Sequence, residues 1–440
     1  MRFTTSEVAS ATGGEVFGRE AEVERVSIDS RLVRPGDLFV PIVAERDGHD
    51  FIADAVAAGA AAYLTSELIG AGTAIRVADT AIGLTALGAA ARSRLGERVV
   101  AITGSVGKTS VKDLLAWAAA TTWVTAASVG SFNNELGVPL TLTNAPDGTE
   151  FTVVEMGARG RGHIAELCQV ARPTVGVVTV VAGAHLEAFG TIDEVAAAKA
   201  ELPASLPASG TAVLNADDVR VEAMADATEA RVLTYGVLGR GDVQATGIEL
   251  DDHLRASFTL ESPWGRATVR LEVAGRHQVS NALAAAAAAL AMGADPEDVA
   301  RGLGRAQLSA MRMDLQEAPG GFRVLDDSYN ANPTSMAAAI DALATLEAVR
   351  RIAVLGTMHE LGADRDRQHA EVAARARDAG IAIVSVDEPA YGVEGMDAAS
   401  SREDAVARLR ELDLGPGDVV LVKASRAAGL EAVVAALHSA

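Results

Sequence analysis

Eight short runs rich in β-branched residues constrain the fold of this chain most. They are VVAIT (99–103), FTVVEMG (151–157), VGVVTVV (175–181), GTAVLN (210–215), FRVLDDS (322–328), RIAVLG (351–356), IAIVSVD (381–387) and DVVLVK (418–423). Stretches rich in Ala, Leu and Glu separate most of them. Strands that alternate with helices predict an α/β fold built on parallel sheets. Each run is apolar without alternation, as a strand covered on both faces must be. Residues 243–273 differ. They alternate apolar and polar side chains and predict an antiparallel hairpin region.

The 440 residues allow two to four domains. Three blocks are expected: a small α/β N-terminal domain at 1–97, a central phosphate-loop domain at 98–308, and a C-terminal domain at 309–440. The first contains RVSIDSRLVRPGDLFVPI, where Pro35-Gly36-Asp37 marks a turn between extended segments. The formal charge of −21 repels a phosphate backbone and argues against a nucleic-acid partner. Anionic substrates are admitted only where Lys, Arg, Mg²⁺ or a helix N-terminus makes a pocket locally positive. The N-terminal stretch MRFTTSEVASATGG has no signal-like apolar run. The alanine-rich run at 282–294 is too short for a bilayer and reads as a packed internal helix. The one cysteine, Cys168, suits a reducing compartment. The expectation is a cytoplasmic protein without stable membrane insertion.

The stretch AITGSVGKTSVKDLL (101–115) resembles a phosphate loop with Ile102 where the longer pattern has glycine. A strand runs into a glycine turn and a helix follows at once, the context such a loop requires. Gly104, Ser105, Gly107, Lys108, Thr109 and Ser110 are the candidate nucleotide-binding residues. Backbone N–H groups and the helix N-terminus would hold phosphate oxygens, Lys108 would reach the terminal phosphates, and Thr109 would ligate Mg²⁺. An ordinary glycine turn is the plainer reading of the same residues, and the loop alone names no reaction.

Four further groups carry chemistry. Glu155 ends a strand on the side where α/β folds bind ligands, and could hold Mg²⁺ opposite Thr109; a solvated strand-end carboxylate is the alternative. His185 follows the next strand. Thr191 and Glu194 then form a T-x-x-E box opening a helix on which Val195, Lys199 and Leu202 share a face. A lysine so placed ordinarily buries its stem and lets its amine reach water. A desolvated amine could instead react with CO₂ to give an anionic carbamate. LDDSYNANPTSM (325–336) crowds polar residues at a strand end, which turn chemistry alone could explain. Arg312 precedes it and could stabilise phosphoryl charge. Lys423, Ser425 and Arg426 follow the last strand and read as an anion-binding corner.

Together these stretches resemble the Mur ligases, ATP-dependent amide-forming enzymes of peptidoglycan synthesis. DDSYNANPTSM, GSFNNELGVPLTL (130–142), IDSRLVRPGDLFVPI with DGHDF (47–51), and LGTMHELG (355–362) are similar to the D-alanyl-D-alanine-adding members. The matches run in order from about residue 26 to 431. The family's loop is the short T-G-[ST]-x-G-K-[ST] form, so glycine is not expected at position 102. The resemblance implies three domains, the last Rossmann-like. It implies that ATP phosphorylates the terminal carboxylate of UDP-N-acetylmuramoyl-tripeptide, and that the amine of D-alanyl-D-alanine attacks the acyl phosphate. Residue by residue, it implies that Lys108 binds phosphate and that Thr109 and Glu155 hold a first Mg²⁺. His185 and carbamoylated Lys199 would hold a second. Asn281 would read adenine, Arg312 would meet the terminal phosphate, and Asp327 would contact the nucleotide. Ser30, Arg31, Asn133 and Asn134 would meet the UDP-sugar-peptide, with Asn330, Asn332, Ser425 and Arg426 on the dipeptide side. A single chain is the default, since the reaction needs no second subunit.

Two positions depart from the family pattern, Ala-Gly-Ala at 182–184 and Ala424 in Lys-Ala-Ser-Arg; neither removes a proposed ligand. The competing readings are a sibling ligase with another amino substrate, a non-catalytic nucleotide-binding scaffold, and a simple phosphate-loop kinase.

Overall fold

The computed structural model describes residues 1–183, 186–393 and 398–439, apart from the side chains of 186 and 188. All eight apolar runs form strands. The central sheet runs, in spatial order, Thr125–Ala127, Phe151–Glu155, Arg98–Thr103, Val175–Val178, Thr211–Asn215, Arg231–Gly236, Val243–Leu250, Arg255–Ser262 and Gly265–Ala274. Its first seven strands pair in parallel and the last two add antiparallel. The alternating segment at 243–273 is therefore a meander that continues the parallel sheet.

The strand order creates the site. From Arg98–Thr103 the chain crosses to the edge strand Thr125–Ala127 and returns to Phe151–Glu155 between them. The next strand, Val175–Val178, lands on the other side of Arg98–Thr103. Arg98–Thr103 and Val175–Val178 are neighbours whose outgoing connections run in opposite directions, so a crevice opens between their C-terminal ends. The phosphate loop and Glu155 lie there.

The alanine-rich segment forms the helix Gln278–Ala291. Residues Ala282 to Leu290 are all without solvent exposure. At 1.5 Å per residue it is about 21 Å long, against roughly 30 Å of bilayer hydrocarbon. Its small side chains let it pack closely against both the sheet and the neighbouring helix Lys108–Ala119. Among the described residues, no helix is long and apolar enough to cross a membrane.

The C-terminal sheet orders Asp314–Glu317, Arg323–Asp326, Val419–Lys423, Arg351–Leu355, Ala382–Val386 and Ala398–Ala399, all parallel except the first. In the N-terminal part, the strands Glu15–Phe17, Ala74–Arg76, Ala62–Thr65, Asp37–Phe39 and Arg25–Ser27 form one sheet. The Pro35-Gly36 turn is present: Gly36 has φ 91° and the Asp37 N–H donates to Arg34 O at 3.1 Å. That positive φ is why glycine occupies the position.

The three larger sheets are drawn from residues 15–76, 98–274 and 314–399 with 419–423, and the apolar core crosses from the first to the second. The helix Thr80–Arg92 packs on Gly137–Thr143 so closely that a Cβ on Gly88 would lie 2.7 Å from Pro139 Cα. The buried Arg92 donates from Nε to Ala171 O at 2.7 Å and from Nη2 to Arg172 O at 3.1 Å. We therefore propose 97/98 and 308/309 as boundaries between sheets, with the first two blocks sharing a core.

Candidate active site

The phosphate loop is shaped by its two glycines. Gly104 has φ 146° and Gly107 φ 87°, angles that side chains resist. A Cβ at Gly104 would run into Thr179 Oγ1, and one at Gly107 would come 2.6 Å from Asn281 Oδ1. The Ser105 hydroxyl donates to Ala182 O and accepts the Ala182 N–H, both at 3.0 Å, so it closes the loop onto the strand-end segment. Lys108 begins the 12-residue helix Lys108–Ala119, and its Nζ donates to Gly104 O at 2.7 Å. Desolvation holds the Lys108 ammonium below its ordinary pKa; Glu155 opposes that shift and Arg312 adds to it.

Thr109 lies at the centre of the bonds that follow. Its hydroxyl donates to Glu155 Oε2 at 2.9 Å and accepts from Arg312 Nη2 at 3.2 Å. The other Glu155 oxygen accepts from Asn133 Nδ2 at 2.7 Å. A hydroxyl beside a buried carboxylate is a hard-oxygen donor set of the kind Mg²⁺ takes. Arg312 stacks over the Tyr329 ring, 4.2 Å from its centroid, and its buried Nε has no hydrogen-bond partner among the described groups.

Lys199 follows the helical spacing and departs from the exposure expected of it. Val195, Lys199 and Leu202 form one buried face, and Lys199 is only 3% exposed. Its amine therefore does not reach water as a lysine stem on a surface helix would. Desolvation, followed by repulsion from Lys108, pulls its pKa down from 10.5 to about 7. The T-x-x-E box is present by half. Thr191 accepts the Glu194 N–H at 3.2 Å, while the Glu194 carboxylate pairs with Arg161 at 3.4 Å. His185 lies outside the described residues.

A cleft of about 700 Å³ joins this wall to the C-terminal domain. Of the sequence candidates it gathers Ser105, Gly107, Lys108, Thr109, Ser110, Asn133, Glu155, Asn281, Arg312, Asp327, Asn330, Asn332, Ser425 and Arg426 along its lining. The far wall is internally bonded. Lys423 Nζ meets Asp327 Oδ2 at 2.5 Å and Asn330 O at 2.8 Å. The anion at the lysine corner is thus the protein's own carboxylate.

Profile matches span the chain: a Mur ligase family catalytic domain over residues 22–104, a Mur ligase middle domain over 102–289, and a Mur ligase glutamate ligase domain over 311–426. A UDP-N-acetylmuramoyl-tripeptide–D-alanyl-D-alanine ligase of Mycobacterium bovis is 41% identical, covering 99% of this chain and 98% of its own length. The chain belongs to the Mur ligase family. The crystal structure of MurF from Acinetobacter baumannii matches with a TM-score of 0.89 at 32% identity, over 100% of this chain and 99% of that one. The MurF ligase of Thermotoga maritima, solved in complex with ADP, matches with a TM-score of 0.78 at 27% identity, over 95% and 97%.

Several candidates in this Mur ligase are engaged away from the cleft or within it. Ser30 and Arg31 lie in the short 3-10 turn Ser30–Leu32 of the N-terminal part, outside the cleft lining, where Arg31 makes a two-pronged pair with Asp29. Asn134 Oδ1 accepts the Gly137 N–H at 2.9 Å at the start of the helix Gly137–Thr143. Asn332 caps the helix Pro333–Thr345. The Ser425 hydroxyl accepts the His359 N–H at 2.9 Å and donates to Ala331 O at 3.3 Å. Arg426 pairs with Glu431 at 2.9 Å. The sequence reading assigns no part to His277, Tyr329 or His359, all of which line the cleft. Tyr329 stands inside DDSYNANPTSM, and its place between Asp327 and Asn330 was the available signal. Burial holds the His277 imidazole below its usual range; its position just before the alanine-rich helix carries no mark in the sequence.

Proposed function

We propose that this Mur ligase uses ATP to join D-alanyl-D-alanine to UDP-N-acetylmuramoyl-tripeptide through an acyl phosphate, a cytoplasmic step of peptidoglycan synthesis. One observation carries the reading. In a chain that matches a curated ligase over nearly the whole of both lengths, the phosphate loop and the C-terminal polar corner face one cleft.

The chemistry must bring two anions together, a triphosphate and a carboxylate, in a protein of net charge −21. Lys108 and Arg312 bring positive charge to the phosphate loop, while Lys423 and Arg426 at the far wall are paired with Asp327 and Glu431. In our assignment the glycine loop and Lys108 hold the phosphates, Asn281 reads the base, and Arg312 meets the terminal phosphate. Asp327 contacts the nucleotide from the C-terminal side. Thr109 and Glu155 would hold one Mg²⁺, and His185 with carbamoylated Lys199 a second. Mg²⁺ at those positions supplies the charge that offsets repulsion between the two substrates. A Lys199 amine with a pKa lowered to about 7 has a substantial neutral population at physiological pH, and the lone pair of that form can attack CO₂. Loss of one proton then leaves an anionic carbamate. Asn133 orients Glu155 through the 2.7 Å bond and presents its remaining face to the sugar-peptide. Ser30, Arg31 and Asn134 remain assigned to that substrate, and Asn330, Asn332, Ser425 and Arg426 to the dipeptide. Closing the two walls excludes water from an acyl phosphate, which hydrolyses readily. All the proposed groups come from one chain, so a monomer suffices.

The test is phosphate release from Mg-ATP with UDP-N-acetylmuramoyl-tripeptide, with and without D-alanyl-D-alanine, followed by product mass. Release that depends on the dipeptide, with a gain of one dipeptide, is expected. No release with any dipeptide or amino acid would shift the reading to a scaffold.

A further inference from the structure

Arg312 belongs to the linker between the central and C-terminal sheets, and its backbone is unusual. Met311 and Met313, on either side of it, have φ 62° and 53°. Left-handed angles are unfavourable for side-chain-bearing residues, so the surroundings must hold them. The C-terminal domain supplies two of the holds. The Tyr329 N–H donates to Met311 O at 3.3 Å, and the Met313 N–H donates to Asp327 Oδ1 at 3.2 Å.

The hold from the central domain comes from a residue outside the active-site set. Asp113 lies on the phosphate-loop helix Lys108–Ala119. Its Oδ2 accepts the Ser309 N–H at 2.7 Å, across 196 residues of chain. Its Oδ1 lies 2.6 Å from the Nζ of Lys112, a lysine buried to 2% exposure. That Nζ also donates to Ser128 O at 2.9 Å, and the Ser128 hydroxyl accepts the Glu155 N–H at 3.2 Å. Asp113 is four residues beyond Thr109, on the same helix face and about 6 Å along the axis. The linker is therefore bound twice to one face of one helix: Ser309 to Asp113, and three residues later Arg312 to Thr109.

We propose that Asp113 is a positioning residue for the phosphoryl-transfer step. It fixes where the linker leaves the central domain and thereby registers the Arg312 guanidinium on Thr109. The neighbouring Lys112, 2.6 Å from the other carboxylate oxygen, holds the Asp113 side chain in place for Ser309. Without Asp113, Arg312 follows the C-terminal domain alone, and its distance from the phosphate loop varies with every opening of the cleft. The proposal rests on the assignment of Arg312 to the terminal phosphate.

The test uses the full chain. Hydrogen exchange of a peptide covering 304–313, measured without nucleotide, should quicken in Asp113→Ala and stay near wild type in the pair Lys112→Met with Asp113→Asn, where the amide oxygen still accepts from Ser309 and no buried ammonium faces the amide NH₂. Asp113→Ala should lower kcat about 10- to 100-fold, the scale of a 1 Å misplacement, with little change in KM for ATP. In an Arg312→Ala background the same substitution should change kcat less than about twofold, because the group it positions is gone. Asp113→Ala strands the buried Lys112 charge. The pair Lys112→Met with Asp113→Ala removes both charges and should show the same exchange and kcat effects. Equal kcat losses with and without Arg312, or unchanged linker exchange in the alanine variants, would overturn the proposal. If Arg312→Ala itself retains full kcat while linker exchange responds as stated, the fault lies in the arginine assignment, and the positioning role falls with it. No turnover in the wild type would instead remove the ligase reading.

Discussion

Two lysines in this protein are almost equally buried, for opposite reasons. Lys423 closes a strand of the C-terminal sheet at 2% exposure, and Lys199 occupies the inner face of the helix Ile192–Ala204 at 3%. Burial pulls the pKa of both downward. At Lys423 the Asp327 carboxylate, 2.5 Å away, pushes back and keeps an ion pair. At Lys199 the charged neighbour that adds to burial is Lys108, of like sign, and the amine drops to about 7. A buried lysine with a carboxylate partner is a strut. One whose charge is further penalised by a second ammonium is more readily neutral, as the proposed reaction with CO₂ requires.

Alanine substitution should separate the two. Lys199→Ala should lower ligase activity on the order of 10²–10³-fold, the scale of losing one group that stabilises developing charge. Added acetate or formate should restore part of it by standing in for the carbamate. Full activity without additives would end the carbamate reading. Lys423→Ala should respond to no added carboxylate. It leaves the Asp327 charge buried and unpaired, a loss of about 3–5 kcal/mol that a lower thermal midpoint would report.

The contrast also marks how far the sequence could be read. The phosphate loop was legible because its meaning is local: strand, glycine turn and helix are contiguous, and Gly104 and Gly107 are required by backbone angles within the loop. The eight strands were legible because parallel strands need unbroken apolar runs. The internal helix at Gln278–Ala291 was legible by its lack of any polar face. What could not be read is pairing at long range. Lys423 looked like an anion-binding lysine, and its anion proved to be Asp327, 96 residues earlier. No spacing rule could join Asp113 to Ser309, because the bond depends on how a linker crosses a helix from another part of the chain.

The Lys199 difference also predicts a pH dependence. A lysine whose folded pKa lies below its unfolded value binds protons more readily when unfolded. Stability from this group therefore rises with pH, from about 7 toward the ordinary 10.5, and the full penalty for burying the charge applies below about 7. In carbonate-free buffer, the urea midpoint of the wild type should climb more steeply than that of Lys199→Met between about pH 7 and pH 10. Lys423 is also shifted down, but it is present in both proteins and cancels in the difference. Parallel slopes would show that Lys199 keeps its charge in the folded protein.

A smaller effect is expected at Asn281. Its Nδ2 donates to Gln278 Oε1 at 2.8 Å and its Oδ1 faces Gly107, so the side chain is held against the phosphate loop. Asn281→Ala should raise KM for ATP about five- to tenfold, roughly the worth of one hydrogen bond, and leave KM for D-alanyl-D-alanine unchanged. A selective rise for the dipeptide would reverse the assignment of that residue to the base.

The smallest effects concern the starts of two helices, one in each of the two lysine-bearing domains. Asn332 makes a full box. It accepts the Ser335 N–H at 2.9 Å, and the Ser335 hydroxyl accepts the Asn332 N–H at 3.0 Å. Thr191, which opens the Lys199 helix, makes half of one, because Glu194 turns to Arg161. Asn332→Ala and Thr191→Ala should each cost about 1 kcal/mol in denaturant unfolding. Glu194→Ala loses a solvent-exposed ion pair and should cost well under about 1 kcal/mol. Equal losses at Thr191 and Glu194 would mean that the box closes in solution and that Arg161 is a bystander. Asn332 carries a second question, because it also lines the cleft on the proposed dipeptide side. Asn332→Ser can still cap the helix but presents no amide. If that variant keeps its stability and raises KM for the dipeptide, the side chain serves both helix and substrate. If stability and KM both stay at wild type, the residue is a cap alone, and recognition of the dipeptide rests on its neighbours in the corner.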